Sequence, residues 1–128
     1  MEKDREISLE AIQAKIFEQT QKCGGLWQEN AIYRQIVSEV GELGDAMNKD
    51  DLTKPLKPGE APPDMEMEIA DIFYALTCFT LRKGCSLTDV VLRKIRINEE
   101  RDKERFEKER RGKNERNSRS GKKMDCRN

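Results

Sequence analysis

Residues 36–47 read IVSEVGELGDAM, and residues 65–76 read MEMEIADIFYAL. Each segment repeats apolar residues at helical spacing and carries one acidic pair, Glu39-x-x-Glu42 or Glu68-x-x-Asp71. Residues three apart on a helix share a face, so each pair aims two carboxylates the same way. Four like charges have no structural reason to converge unless cations hold them. Hard divalent ions such as Mg²⁺ take oxygen ligands of this kind.

The apolar stripes predict the helices around these pairs. Ile32, Ile36, Val40, Leu43 and Met47 line one helix, for which Asn30 is the expected N-cap. Turning about 100° per residue puts Glu39 at the edge of that stripe and Glu42 further round on the same side. Met65, Ile69, Ile72, Phe73, Leu76 and Thr80 line the next helix, capped by Asp64 and stopped by Arg82-Lys83-Gly84. Between them Pro55, Pro58, Pro62, Pro63 and Gly59 impose a loop over 49–63. One loop between two such helices predicts an antiparallel hairpin.

Outward from the hairpin, Leu9, Ile12 and Ile16 predict a first helix over about residues 6–22, ended by Gly24-Gly25. Ser86-x-x-Asp89 opens a fourth helix as a capping box, with Leu87, Val91 and Ile95 as its apolar edge and Phe106 its last large apolar residue. Residues 107–128 hold nine Lys/Arg against four Asp/Glu, and their Gly, Ser and Asn content predicts a charged, basic, disordered tail. The expected organisation is an all-α helical domain over 1–106 followed by that tail.

The chain has 128 residues, 39% charged and 35% hydrophobic, with a formal net charge of zero. The tail is +5, so the body is −5, and nucleic acid is not an expected partner beyond a weak tail contact. No apolar run approaches the roughly 20 residues of a membrane helix, and no secretory signal is visible. Cys23, Cys78, Cys85 and Cys126 form no C-x-x-C pair, so neither a zinc site nor a disulfide framework is expected. A cytoplasmic setting is the default. The absence of histidine excludes Ser-His-Asp and Cys-His catalysis and the Glu-x-x-His di-iron pattern.

The wording Ser38-Glu39-Val40-Gly41-Glu42-Leu43-Gly44-Asp45-Ala46, then Glu68-Ile69-Ala70-Asp71-Ile72, with 25 residues between the acidic pairs, resembles the MazG-like all-α nucleoside triphosphate pyrophosphohydrolases. The resemblance covers about residues 8–106. Dimeric dUTPases and phosphoribosyl-ATP pyrophosphohydrolases share the four-acid pattern, so it identifies a superfamily before a substrate. It implies a four-helix bundle assembled as a dimer or a dimer of dimers. It also implies Mg²⁺-dependent hydrolysis of a (deoxy)nucleoside triphosphate to the monophosphate and pyrophosphate, with Mn²⁺ as the alternative metal.

On that resemblance Glu39, Glu42, Glu68 and Asp71 are the metal ligands, and Glu39 and Glu42 are the catalytic candidates. Glu42 is preferred as base because it lies further from the stripe and closer to water. Lys94, Asn98 and Arg101 share a face of the fourth helix and suit phosphate and sugar oxygens. The competing reading of these three is a salt-bridged surface. Trp27 is the base-stacking candidate, against a reading in which it plugs the end of the bundle. Phe17, Phe73, Tyr74, Met47, Met65 and Met67 are expected to pack in the core or an interface. The chain lacks a first-helix histidine that some relatives carry, and its basic tail is no part of the family pattern. The alternatives are a non-catalytic helical interaction module and an enzyme acting on phosphoribosyl-ATP.

Overall fold

The computed structural model describes residues 6–51 and 53–124; Cys126 and the last residues of the tail lie outside them. Four helices follow in order: α1 (Leu9–Lys22), α2 (Glu29–Asp50), α3 (Met65–Lys83) and α4 (Leu87–Met124). The described residues contain no strand. No helix among them is long and apolar enough to cross a membrane.

The caps follow local chemistry. The Ser8 hydroxyl accepts from the Ala11 N–H at 3.1 Å and starts α1. Gly24 and Gly25 then take φ of 95° and 90°, which favours glycine, and the Gly25 N–H returns to the Thr20 carbonyl at 2.7 Å. Asp64 caps α3 through the Met67 N–H at 3.2 Å. Gly84, at φ 69°, ends that helix in the left-handed region. Ser86 Oγ accepts from the Asp89 N–H at 3.3 Å at the start of α4.

Asn30 does not cap α2. The cap position is Gln28, and it makes no side-chain cap hydrogen bond. Its Oε1 instead accepts from Arg82 at 3.0 Å, tying the start of α2 to the end of α3. A tertiary contact displaces the local cap, and Glu29 in the first turn complements the helix dipole.

The chain divides into a first unit ending at Asp89 and a second beginning at Val90. Within the first, α2 and α3 pack together and α1 packs on α3. Gln13 of α1 links three segments. Its Nε2 donates to Thr80 Oγ1 at 3.2 Å and to the Cys85 carbonyl at 3.1 Å, and its Oε1 accepts from the Leu87 N–H at 3.2 Å. Each such bond contributes about 0.5–1.5 kcal/mol net.

The apolar stripe of α2 is two rows. Ile32 and Ala46 are buried and Ile36 and Leu43 half-buried, whereas Tyr33, Val37, Val40 and Met47 are exposed. On α3 Ala75 is buried, while Met67, Ile69, Phe73 and Leu76 are exposed. Val40 and Met47 of the α2 stripe and Ile69, Phe73 and Leu76 of the α3 stripe therefore do not pack in the core of this chain, and neither does Met67. A 3.6-residue period identifies an apolar side of a helix but not which half of it meets the neighbouring helix.

The tail also departs from expectation. Helix α4 continues unbroken across 106–107 to Met124, so residues 111–124 are helical rather than disordered. Arg, Lys and Glu are strong helix formers, and their density here outweighs Gly112 and Gly121. The described side chains beyond Phe106 are almost all exposed.

Candidate functional site

Glu39 and Glu42 lie on α2, and Glu68 and Asp71 on α3. The antiparallel hairpin brings the two pairs face to face. One carboxylate oxygen from each of the four lies within 4.8 Å of the others. Glu39 and Glu68 are half-buried, Glu42 and Asp71 exposed. The cluster thus has an inner pair against the helix seam and an outer pair towards water.

Its electrostatics are unbalanced. Glu42 is pushed above the usual carboxylate range, first by the charge of Glu39 and a hydrogen bond to it, then by partial desolvation and by Glu68 and Asp71. Oε2 of Glu39 and Oε2 of Glu68 are out of contact with solvent and have no hydrogen-bond partner. Buried carboxylate oxygens without partners are costly. Oxygen-only donors, an excess of negative charge and two unpartnered buried acceptors together fit a hard divalent cation. Gln35, one turn before Glu39, donates to the other oxygen of that carboxylate and orients it.

Two cavities border the cluster. The first, about 290 Å³, has Glu39 and Asp71 at one edge and Trp27, Ile32, Tyr74 and Ala75 among its walls. Trp27 is 59% exposed, so it does not plug the bundle. Tyr74, assigned from sequence to packing, lines this cavity, and its hydroxyl donates to Gln19 Oε1 at 2.7 Å. Cys78 also lines it, and burial pushes its thiol above the usual range. Among the described residues Cys23, Cys78 and Cys85 are free thiols.

The second cavity, about 220 Å³, is polar and is lined by Glu42 and Glu68 together with Asp45, Lys49 and Glu60. The Lys49 ammonium lies 2.5 Å from Glu60 and 3.4 Å from Asp45, and Lys54 bonds Asp45 at 2.8 Å. Glu60 also accepts the Lys57 backbone N–H at 2.9 Å. These contacts hold Glu60 and Asp45 below, and Lys49 above, their usual pKa. Sequence reading missed this group. One signal was present: Lys49 follows Glu42 by seven residues, two helical turns on the same face.

Lys94, Asn98 and Arg101 are on α4 in the second unit, at spacings that share a face. Arg101 Nε lies 3.3 Å from Asp102 Oδ1, as a salt-bridged surface would have it.

The family model of the MazG nucleotide pyrophosphohydrolase domain matches residues 28–106, which include all four acids, Lys49 and Glu60. No curated protein and no solved structure matches the chain.

Proposed function

The chain belongs to the MazG nucleotide pyrophosphohydrolase domain family, and from that premise we propose that it is a Mg²⁺-dependent enzyme converting a (deoxy)nucleoside triphosphate to the monophosphate and pyrophosphate. The observation that carries the reading is the convergence of four carboxylates within 4.8 Å, bordered by an aromatic-walled cavity on one side. A carboxylate cluster repels a triphosphate, so the two can meet only across cations. Divalent ions held by Glu39, Glu42, Glu68 and Asp71 would neutralise phosphate oxygens and make bound water more acidic.

The residues divide the remaining work. Glu39, fixed by Gln35, and Glu68 are inner ligands held by the helix seam. Glu42 faces water and is the general base. It is exposed beside the other three carboxylates, where it can take a proton from the attacking water. The water oxygen bonds to phosphorus at the α–β anhydride, the bond to the bridging oxygen breaks, and pyrophosphate leaves with that electron pair. Trp27 and Tyr74, which line the apolar cavity, are assigned to the base, where stacking on an aromatic side chain contributes about 1–3 kcal/mol. Lys94, Asn98 and Arg101 are assigned to phosphate and sugar on their chemistry and the family resemblance.

The exposed rows on α2 and α3 support a dimer or a dimer of dimers. Contiguous apolar surface of this kind on a monomer marks an interaction site. Catalysis is assigned to residues 1–106, in a cytoplasmic setting and with a house-cleaning role for a surplus or non-standard nucleotide.

The deciding experiment is a panel of common NTPs and dNTPs with Mg²⁺, following pyrophosphate against orthophosphate. Pyrophosphate with the matching monophosphate supports the reading. Silence from folded protein, with hydrolysis of phosphoribosyl-ATP, would move the substrate within the superfamily; silence on both would sink the enzyme reading.

A further inference from the structure

The two cavities differ in chemistry, and that difference gives a bound nucleotide a direction. Glu39 and Asp71 border the apolar cavity with Trp27; Glu42 and Glu68 border the polar one. A nucleotide has a flat, stackable end and a polyanionic end. A nucleotide with its base against Trp27 and its phosphate chain on the carboxylates would direct its distal phosphates to the second cavity. Among the described residues Lys49 is the one cationic side chain lining that cavity.

We propose that Lys49 holds the terminal phosphates of the nucleotide, and then the departing pyrophosphate, and that Glu60 is the carboxylate these phosphates displace. This rests on the pyrophosphohydrolase reading and adds to it a polarity for the substrate and a phosphate-binding residue outside the four-acid motif.

Lys49 is placed for the task. It sits on α2, a rigid element, two turns beyond Glu42. Its side chain is only 21% exposed, held between Glu60 and Asp45. An ammonium has three donors, so it can turn to a phosphate oxygen without leaving its position. Glu60 belongs to the α2–α3 loop, whose movement costs less than moving a packed helix. Asp45 keeps Lys54 as a partner when Lys49 turns away, so one carboxylate is released rather than two.

The competing account is that the Lys49–Glu60 pair only tethers the loop. The two accounts predict different signs. The test measures inhibition of nucleotide hydrolysis by inorganic pyrophosphate and by the nucleoside monophosphate, in the 128-residue chain with Mg²⁺. If Lys49 binds phosphate, Lys49→Ala weakens pyrophosphate inhibition roughly 10- to 100-fold, the value of a charged hydrogen bond. Monophosphate inhibition stays unchanged. Glu60→Gln removes the competitor and strengthens pyrophosphate inhibition, while Lys49→Arg restores part of the loss.

A tether predicts that Lys49→Ala and Glu60→Gln change pyrophosphate inhibition in the same direction, or not at all, and either result overturns the proposal. Equal weakening by both products in Lys49→Ala overturns it as well. If Lys49→Ala does not fold, Glu60→Gln decides by the sign of its effect. Wild-type protein that hydrolyses no nucleotide would overturn the underlying reading, and this proposal with it. Wild-type hydrolysis with normal pyrophosphate inhibition in Lys49→Ala would overturn this proposal alone.

Discussion

The Lys83 ammonium lies 2.6 Å from the Glu29 carboxylate and joins the last turn of α3 to the first turn of α2. From that joint Glu39 is ten residues along α2, and Asp71 is twelve residues back along α3. At 1.5 Å per residue these are about 15 and 18 Å, so the hairpin brings the two acids level. The pair marks this register but does not set it. Both side chains are about half exposed, and such pairs contribute about 0–1 kcal/mol. The packing of α2 on α3 sets it.

Removing an acid should remove metal binding and catalysis together. Glu39→Ala or Asp71→Ala should lower the hydrolysis rate at least ~100-fold, because several kcal/mol of charge stabilisation go with the ligand. Wild-type protein should melt higher as Mg²⁺ is added, by about 2.7 kcal/mol of stability at a hundredfold excess over Kd. The variants should lose that response. Unchanged rates in both would sink the assignment.

Trp27 is the only tryptophan, so its fluorescence reports the apolar cavity directly. Nucleotide binding should change the emission. Trp27→Ala should weaken nucleotide binding by roughly 5- to 150-fold, the value of one stacked base. An unaltered KM would leave Trp27 outside the site.

Gln13 offers a control distant in role from the chemistry. Gln13→Ala strands the Leu87 N–H and the Cys85 carbonyl. The expected loss is about 1–3 kcal/mol of stability, read by denaturant unfolding. The rate of hydrolysis per folded molecule should not change.

The carboxylates should titrate in opposite directions in metal-free protein. Glu60 and Asp45, depressed by their lysines, contribute stability above their unfolded pKa that is lost as pH falls through the folded values. Glu42 is raised by Glu39, so its contribution is fully present below its unfolded pKa and is lost as pH rises through the folded value. Carbon-detected NMR titration of the side-chain carboxyls should find Glu42 raised and Glu60 and Asp45 lowered from their ordinary values. Shifts of the opposite sign would refute the geometry. Mg²⁺ should pull Glu42 down.

The exposed apolar rows should be covered in solution. Sedimentation should give a dimer or larger species for the wild type. Ile69→Glu or Phe73→Glu should shift it towards monomer without unfolding the hairpin, since both side chains are already exposed. A wild-type monomer at micromolar concentration would remove the assembly from the account.

Much of the frame is set by the sequence alone. The Asp64 cap, the left-handed Gly84, the proline-bounded loop and the i, i+3 placement of each acidic pair are local, and the backbone obeys local chemistry at those points. The wording around the acids also suffices to recognise the family. Only the tertiary structure decides the rest. It turns Val40 and Met47 outward and Ala46 inward, because a helical period defines a side and packing chooses the half of it that is buried. It takes Gln28 into a bond with Arg82 and leaves Asn30 inside the helix. It carries α4 to Met124 and joins Lys49 to Glu60 across the loop. Each of these outcomes depends on neighbours distant in sequence or on propensity summed over many residues, and no short motif records either.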